Sequence, residues 1–131
     1  MAFGVAICFE DIFGEELIAS LPAAQVLLNA TNDAWFGKSL AADQHLQSSQ
    51  MRALETGRWM VRATNTGVTA AIDTGGRVVS RLEWFTTATL TQKVVPHAGA
   101  TPYVRTGNAG VLTVLVLGLA LAAWRARRRR P

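Results

Sequence analysis

Apolar residues in this chain fall into short unbroken runs, separated by polar turns, with one much longer run near the end. Residues 2–8, Ala-Phe-Gly-Val-Ala-Ile-Cys, include Val and Ile and predict a strand buried on both faces that ends at Cys8. Residues 15–20 predict a short helix stopped near Pro22. Residues 25–28 predict a second buried strand, followed by the polar, glycine-ended loop Asn29-Ala-Thr-Asn-Asp-Ala-Trp-Phe-Gly37. Residues 41–58 predict a helix with Leu46, Met51 and Leu54 facing inward and Arg52 and Glu55 paired outside. Strands at 59–63 and 68–72 flank the turn Thr64-Asn-Thr-Gly67, and Asp73-Thr-Gly-Gly76 turns into a strand at 77–82. Residues 89–95 predict a last strand and residues 96–108 an irregular link. Strands mixed with one long helix give an α/β layered domain with too few strands to complete two sheets.

Residues 109–124 carry no charge, and Gly107 and Asn108 extend that stretch to 107–124. An eighteen-residue helix is about 27 Å long, close to the hydrocarbon thickness of a bilayer. A buried core helix is the competing reading. Uniform hydrophobicity, Trp124 at interface depth and the arginines that follow favour a transmembrane helix. The positive-inside rule then assigns 125–131 as a basic cytoplasmic tail and residues 1–105 to the extracytoplasmic side. The N-terminal segment has no basic flank, and its apolar run stops at Glu10, so it does not read as a secretory signal. The expectation is therefore the C-terminal portion of a longer polytopic protein.

Composition narrows the function classes. Of 13 Lys and Arg, five are arginines in the last seven positions; without that tail the balance is 8 basic against 9 acidic residues. The overall net charge of +4 thus belongs to the tail and does not support a nucleic-acid-binding domain. One cysteine excludes an internal disulfide framework, and two distant histidines without HExxH or CxxC argue against a metal site.

Three places invite chemistry. Cys8 is the only thiol. It is either a buried structural cysteine or a nucleophile at a strand end, where α/β folds present functional groups. A nucleophile needs a base and oxyanion donors. Glu10, two positions on, is a candidate site carboxylate, and the backbone N–H of Phe9 a candidate oxyanion donor. The stretch Asn32-Asp-Ala-Trp-Phe-Gly37 is either an ordinary Asn-Asp turn or an active-site loop. In the second reading Asn32, Asp33, Trp35 and Phe36 bind substrate, the two rings lining an apolar pocket. His45, in Gln44-His-Leu-Gln47, reads as helix surface or as packing behind the site.

Six motifs occur in a fixed order: Ile7-Cys-Phe-Glu10, Asn32-Asp-Ala-Trp-Phe-Gly-Lys38, Gln44-His-Leu-Gln47, Gln50-Met-Arg-Ala-Leu-Glu55, Arg62-Ala-Thr-Asn-Thr-Gly67 and Thr101-Pro-Tyr103. Together they resemble the C-terminal part of apolipoprotein N-acyltransferases, the membrane-bound branch of the carbon–nitrogen hydrolase (nitrilase) superfamily. The resemblance runs from about residue 3 to the C-terminus. It implies a partial nitrilase-like α-β-β-α sandwich over residues 1–105, held outside the bacterial inner membrane and followed by one C-terminal transmembrane helix. It implies a Glu-Lys-Cys catalytic set in which Cys8 is the nucleophile, Glu10 the motif carboxylate and Trp35 the aromatic of the neighbouring loop. The general-base Glu and the oxyanion-stabilising Lys lie upstream of the cysteine in that family. Lys38, Glu15 and Glu16 do not match them. Phe9 stands where many members carry Tyr, which keeps the ring and loses the hydroxyl.

The implied reaction is transfer of an acyl group from a membrane phospholipid, through a cysteine thioester, to the N-terminal amine of a diacylglyceryl-apolipoprotein. No metal or organic cofactor is required. Two alternatives stand beside it: an amidase or nitrilase that passes the acyl group to water, and an inactive membrane-anchored remnant. The isolated chain is expected to be inactive, and sheet edges left by missing strands are expected to favour aggregation.

Overall fold

A computed structural model describes residues 1–128. Residues 129–131, the end of the expected basic tail, lie outside the described residues.

Five strands form one mixed sheet in the order β1-β2-β3-β4-β5: β1 Phe3–Ile7, β2 Val26–Thr31, β3 Trp59–Thr64, β4 Ala70–Ile72 and β5 Val78–Arg81. The first three are parallel, and β4 and β5 complete an antiparallel meander. Registers Gly4↔Leu27↔Met60↔Ile72 and Ala6↔Asn29↔Arg62↔Ala70 define two rows across one face. The first row is apolar, and with Leu17, Leu46, Ala53 and Val68 it makes the core. The second row becomes polar at Asn29 and Arg62, both fully buried.

Two helices cover this face. Helix α1 spans Gly14–Ile18 and contributes Leu17; helix α2 spans Ala41–Thr56. A side chain at Gly4 would meet Ser20 Oγ at 2.5 Å and Leu27 at 3.0 Å, so glycine there lets the chain after α1 lie against the sheet. Helix α2 turns Ala42, His45, Leu46, Ser49, Ala53 and Thr56 inward, a stripe at helical spacing. It ends at Gly57, whose φ of 63° supplies the left-handed C-cap. Met51 and Leu54, expected inside, are exposed, because His45 and Ser49 occupy the buried stripe above the polar row. The expected Arg52–Glu55 pair forms at 3.1 Å.

The opposite face differs from expectation at β1. Gly4 and Ala6 are buried, whereas Phe3, Val5 and Ile7 are 51–60% exposed. The unbroken apolar run therefore belongs to a strand covered on one face only. Residues 89–95, expected as a strand, join no ladder. They run past the outer face near Val61 and Ala71, where Ser80 Oγ donates to Gln92 Oε1 at 3.1 Å. The link is also more ordered than expected. Its end forms a short helix α3, Pro102–Thr106, capped by Thr101 Oγ1, which accepts from the Val104 amide. Buried Arg58 holds the link to the domain, donating to the carbonyls of Ala24 at 2.9 Å and Gly99 at 2.6 Å.

Helix α4, Ala109–Arg128, is long and apolar enough to cross a membrane, and none of its residues is buried against the domain. It runs past the expected end at 124. The Arg128 guanidinium lies 4.1 Å from the Trp124 ring centroid, a cation–π contact at the polar end. At the other end the Asn108 amide donates to Glu15 Oε1 at 3.0 Å, tying the helix entrance to α1.

The two sheet faces carry opposite expectations for mutation. Leu27→Ala removes a core side chain and is expected to cost about 2–5 kcal/mol. Val5→Ser on the bare face is expected to cost less than about 1 kcal/mol. Equilibrium denaturation of both variants in detergent checks the contrast; equal losses would mean that Val5 is also covered.

Candidate active site

The parallel strands β1, β2 and β3 end on the same side of the sheet, where α/β folds bind ligands. Each feeds a loop there: the 3-10 turn Cys8–Ile12, the loop around the 3-10 turn Ala34–Phe36, and the turn Thr64-Asn-Thr-Gly67. All seven sequence-predicted site residues fall on the first two.

Cys8 is not the last residue of the strand but the first of its turn, half-exposed, with φ +54°. A side chain other than glycine in the left-handed region costs about 1–2 kcal/mol, so surrounding contacts must hold it. Two are visible. Asn29 Nδ2, projecting from β2, donates to the Cys8 carbonyl at 2.9 Å. The Glu10 carboxylate accepts the Ile7 amide at 2.6 Å. Glu10 thus braces the backbone on which the thiol sits. The exposed Phe9 ring lies against Phe36, edge to face, with centroids 5.6 Å apart. This contact joins the first loop to the second.

The second loop is fixed from below and from the side. Asn32 Oδ1 accepts the Ala34 amide at 3.0 Å and Asn65 Nδ2 at 2.7 Å. Asn65 Oδ1 accepts the Asp33 amide at 3.1 Å. Gly67 is packed against the Asp33 side chain so closely that any Cβ there would collide with it. The rings then divide: Trp35 stands 87% exposed, while Phe36 is half-buried. Asp33, expected to meet substrate, instead turns inward and is 1% exposed. Its carboxylate accepts from Thr31 Oγ1 at 3.1 Å and Arg62 Nη2 at 3.0 Å, and faces His45 Nδ1 at 3.1 Å.

Below the loops lies a buried polar cluster that sequence reading did not assemble. His45 Nε2 faces Asp11 Oδ1 at 2.9 Å. Ser49 Oγ donates to Asp11 Oδ2 and accepts from Arg62 Nη1 at 2.7 Å; the same Nη1 is 3.3 Å from Asp11 Oδ2. All five residues are at most 2% exposed. The Phe9 ring stacks on the His45 ring at 4.9 Å, closing the cluster from above. One signal pointed here: Asn29 and Arg62 interrupt the apolar strands Val-Leu-Leu-Asn-Ala-Thr and Trp-Met-Val-Arg-Ala-Thr at matching positions. A charged residue at an inward strand position needs buried partners.

Electrostatics bind the cluster together. Burial disfavours a charged imidazole, but hydrogen bonds to Asp11 and Asp33 outweigh it and raise the His45 pKa to about 9. Burial likewise opposes ionisation of Asp33, yet the His45 hydrogen bond and the Arg62 charge hold its carboxyl below the usual carboxylate range. The His45 contribution to stability is complete below the unfolded value of 6.5 and is lost as pH rises through about 9. The Asp33 contribution is complete above 3.8 and is lost as pH falls through its depressed value. Thermal unfolding across pH is therefore expected to show maximal stability between 3.8 and 6.5 from these two groups, declining on both sides. Arg62→Met leaves buried carboxylate charge uncompensated and is expected to cost about 3–5 kcal/mol. A loss below 1 kcal/mol in denaturant titrations would contradict a charged cluster.

Comparison with known proteins places the chain in a family. The sequence profile described as carbon-nitrogen hydrolase matches residues 1–103. An apolipoprotein N-acyltransferase of Nitrosomonas europaea is 57% identical over 128 residues, covering 95% of this chain and 26% of that protein. Apolipoprotein N-acyltransferases of Ralstonia nicotianae and Methylococcus capsulatus are 56% and 52% identical, each over 95% of this chain and 24% of theirs. The chain thus spans about a quarter of the length of the curated relatives it matches. With the match extending over the sheet, the three loops and the link to α3, the chain belongs to the carbon–nitrogen hydrolase family.

Proposed function

We propose that this chain is the nucleophile-bearing part of an enzyme that N-acylates lipoproteins. The observation that carries the reading is Cys8, held at positive φ where β1 ends, in a turn whose Phe9 ring packs on Phe36 of the second loop. The relatives' name supplies the substrate class.

In this reading the Cys8 sulfur attacks the carbonyl carbon of a phospholipid acyl ester. The C–O bond breaks, the thiol proton passes to the departing oxygen, and lysophospholipid leaves. The thioester keeps enough acyl reactivity for attack by an amine. The α-amine of a diacylglyceryl-cysteine at a lipoprotein N-terminus then displaces the sulfur, an amide forms, and a proton returns to the thiolate. Phe9 donates its backbone N–H to the oxyanion, and Glu10 holds the turn. Trp35 and Phe36 meet the acyl chain, Asn32 shapes their loop, and Asp33 anchors it from beneath. The general base and the oxyanion lysine implied by the family resemblance are not supplied by these residues.

In the same reading residues 1–105 are the C-terminal portion of the hydrolase domain and 107–124 cross the bacterial inner membrane. Residues 125–131 then lie in the cytoplasm. Glu15 fixes the domain to the membrane helix through Asn108. Because Cys8 is the only thiol, an impermeant maleimide applied to intact spheroplasts is expected to label it without detergent. Protection until lysis would invert the topology.

The functional test uses phospholipid with a radiolabelled acyl chain. A form extended upstream in frame is expected to acquire hydroxylamine-sensitive label, lost in Cys8→Ala, and to pass it to a diacylglyceryl peptide. The 131-residue chain alone is expected to acquire none. Transfer to water in preference to the peptide amine would favour an amidase-type hydrolase. Label that survives Cys8→Ala would remove the thioester.

A further inference from the structure

We propose that His45 is a positioning residue: it bridges Asp11, beneath the Cys8 turn, to Asp33, beneath the Trp35 loop, and so sets the two loops against each other. This rests on the reading of Cys8 as nucleophile and names what holds its surroundings in place.

The geometry selects a doubly protonated ring. Both imidazole nitrogens face carboxylate oxygens, Nε2 at 2.9 Å from Asp11 Oδ1 and Nδ1 at 3.1 Å from Asp33 Oδ1. A neutral imidazole has a single N–H and would turn a lone pair toward one carboxylate. An imidazolium donates to both. The charged groups around it are Asp11 from the Cys8 turn, Asp33 from the second loop and Arg62 from β3; Ser49 and the rings of Phe9 and Phe36 complete its surroundings. With the ring charged, two cations face two anions. When the ring loses its proton, the cluster keeps a net negative charge without access to water.

His45 joins the two loops through one side chain that faces a carboxylate of each. Asp11 lies three residues after Cys8, and Asp33 lies two before Trp35. The Phe9 ring rests on the imidazole itself and touches Phe36 at its edge. Loss of either donor therefore removes one of the two side-chain bridges between the loops. Arg62 also contacts both carboxylates, but from the sheet below, and it leaves the Asp11 Oδ1 and Asp33 Oδ1 oxygens to His45. Deprotonation of the ring thus separates a local coupling from general support of the fold.

The test follows a nitrogen-15-labelled chain in detergent micelles by NMR, in a Cys8→Ala background that leaves the chain without a thiol. Both His45 ring nitrogens are expected to be protonated at pH 7. The Phe9 amide and the Trp35 indole, assigned with Trp35→Phe, are expected to shift together with His45 at one midpoint near 9. In His45→Gln that shared step disappears. In Asp33→Asn the Trp35 indole stops following while the Phe9 amide still does. A bare ring nitrogen at pH 7, or a His45 titration that leaves Phe9 and Trp35 unmoved, overturns the proposal. Should His45→Gln fail to fold, the first titration and Asp33→Asn still decide. In the labelled-phospholipid assay, His45→Gln is expected to slow thioester formation about a hundredfold, the scale of a misplaced reacting group. An unchanged rate overturns the positioning role. Absence of thioester in the unmutated, upstream-extended form removes the acyl-transfer reading instead, and leaves the NMR result to judge the bridge.

Discussion

Four charged groups without access to water, Asp11, Asp33, His45 and Arg62, are the constraint on which the upper half of this domain depends. Burying one charge alone is prohibitive; burying two of each sign is tolerable when each is matched by a partner at hydrogen-bond distance. Such matching restricts the backbone. Asp11 must sit under the Cys8 turn, Asp33 under the Trp35 loop, and both must point toward one ring on α2 and one guanidinium on β3. An apolar filling would tolerate a slip of the helix along the sheet far better than this arrangement does. The polar core is thus a register device, and the Phe9 ring, next to Cys8, covers it.

Strain and support are placed side by side. Cys8 adopts a backbone conformation that most residues avoid, and the cost is met by Asn29, Glu10 and the Phe9–His45 stack. Those contacts come from β2, from the turn itself and from α2. As the first residue of that turn, Cys8 sits at the sheet end rather than within the strand. The bare outer face of β1 has a different character. Phe3, Val5 and Ile7 present apolar area that a layered α/β fold normally covers, and β1 is also a sheet edge.

Much of the architecture was legible in the pattern of residues. The helix over 41–58, the turns at 64–67 and 73–76, the α/β class and the apolar C-terminal helix all follow from local periodicity and turn chemistry. The structure departs from the pattern where tertiary surroundings decide. An unbroken apolar run predicts a strand buried on both faces, yet it specifies only apolar surroundings, and β1 is covered on one face alone. Periodicity alone put Met51 and Leu54 inside α2, because it assumes an oily interior; the interior stripe there holds His45 and Ser49. Residues 89–95 have strand-like composition, yet membership of a sheet requires a free edge in the right place.

The site divides along the same line. Local sequence singled out Cys8, Phe9, Glu10 and the Asn32–Phe36 loop, because nucleophile, carboxylate and paired rings lie within a few positions of one another. It determined, in addition, a charge-free helix followed by arginines. Only the tertiary structure decided that Asp33 faces inward, and that Asp11, His45, Ser49 and Arg62 meet although they span fifty-one positions of chain. A buried ion cluster has no sequence period. Its members come from a turn, a loop, a helix and a strand, and their protonation depends on neighbours that are adjacent only after the sheet has formed.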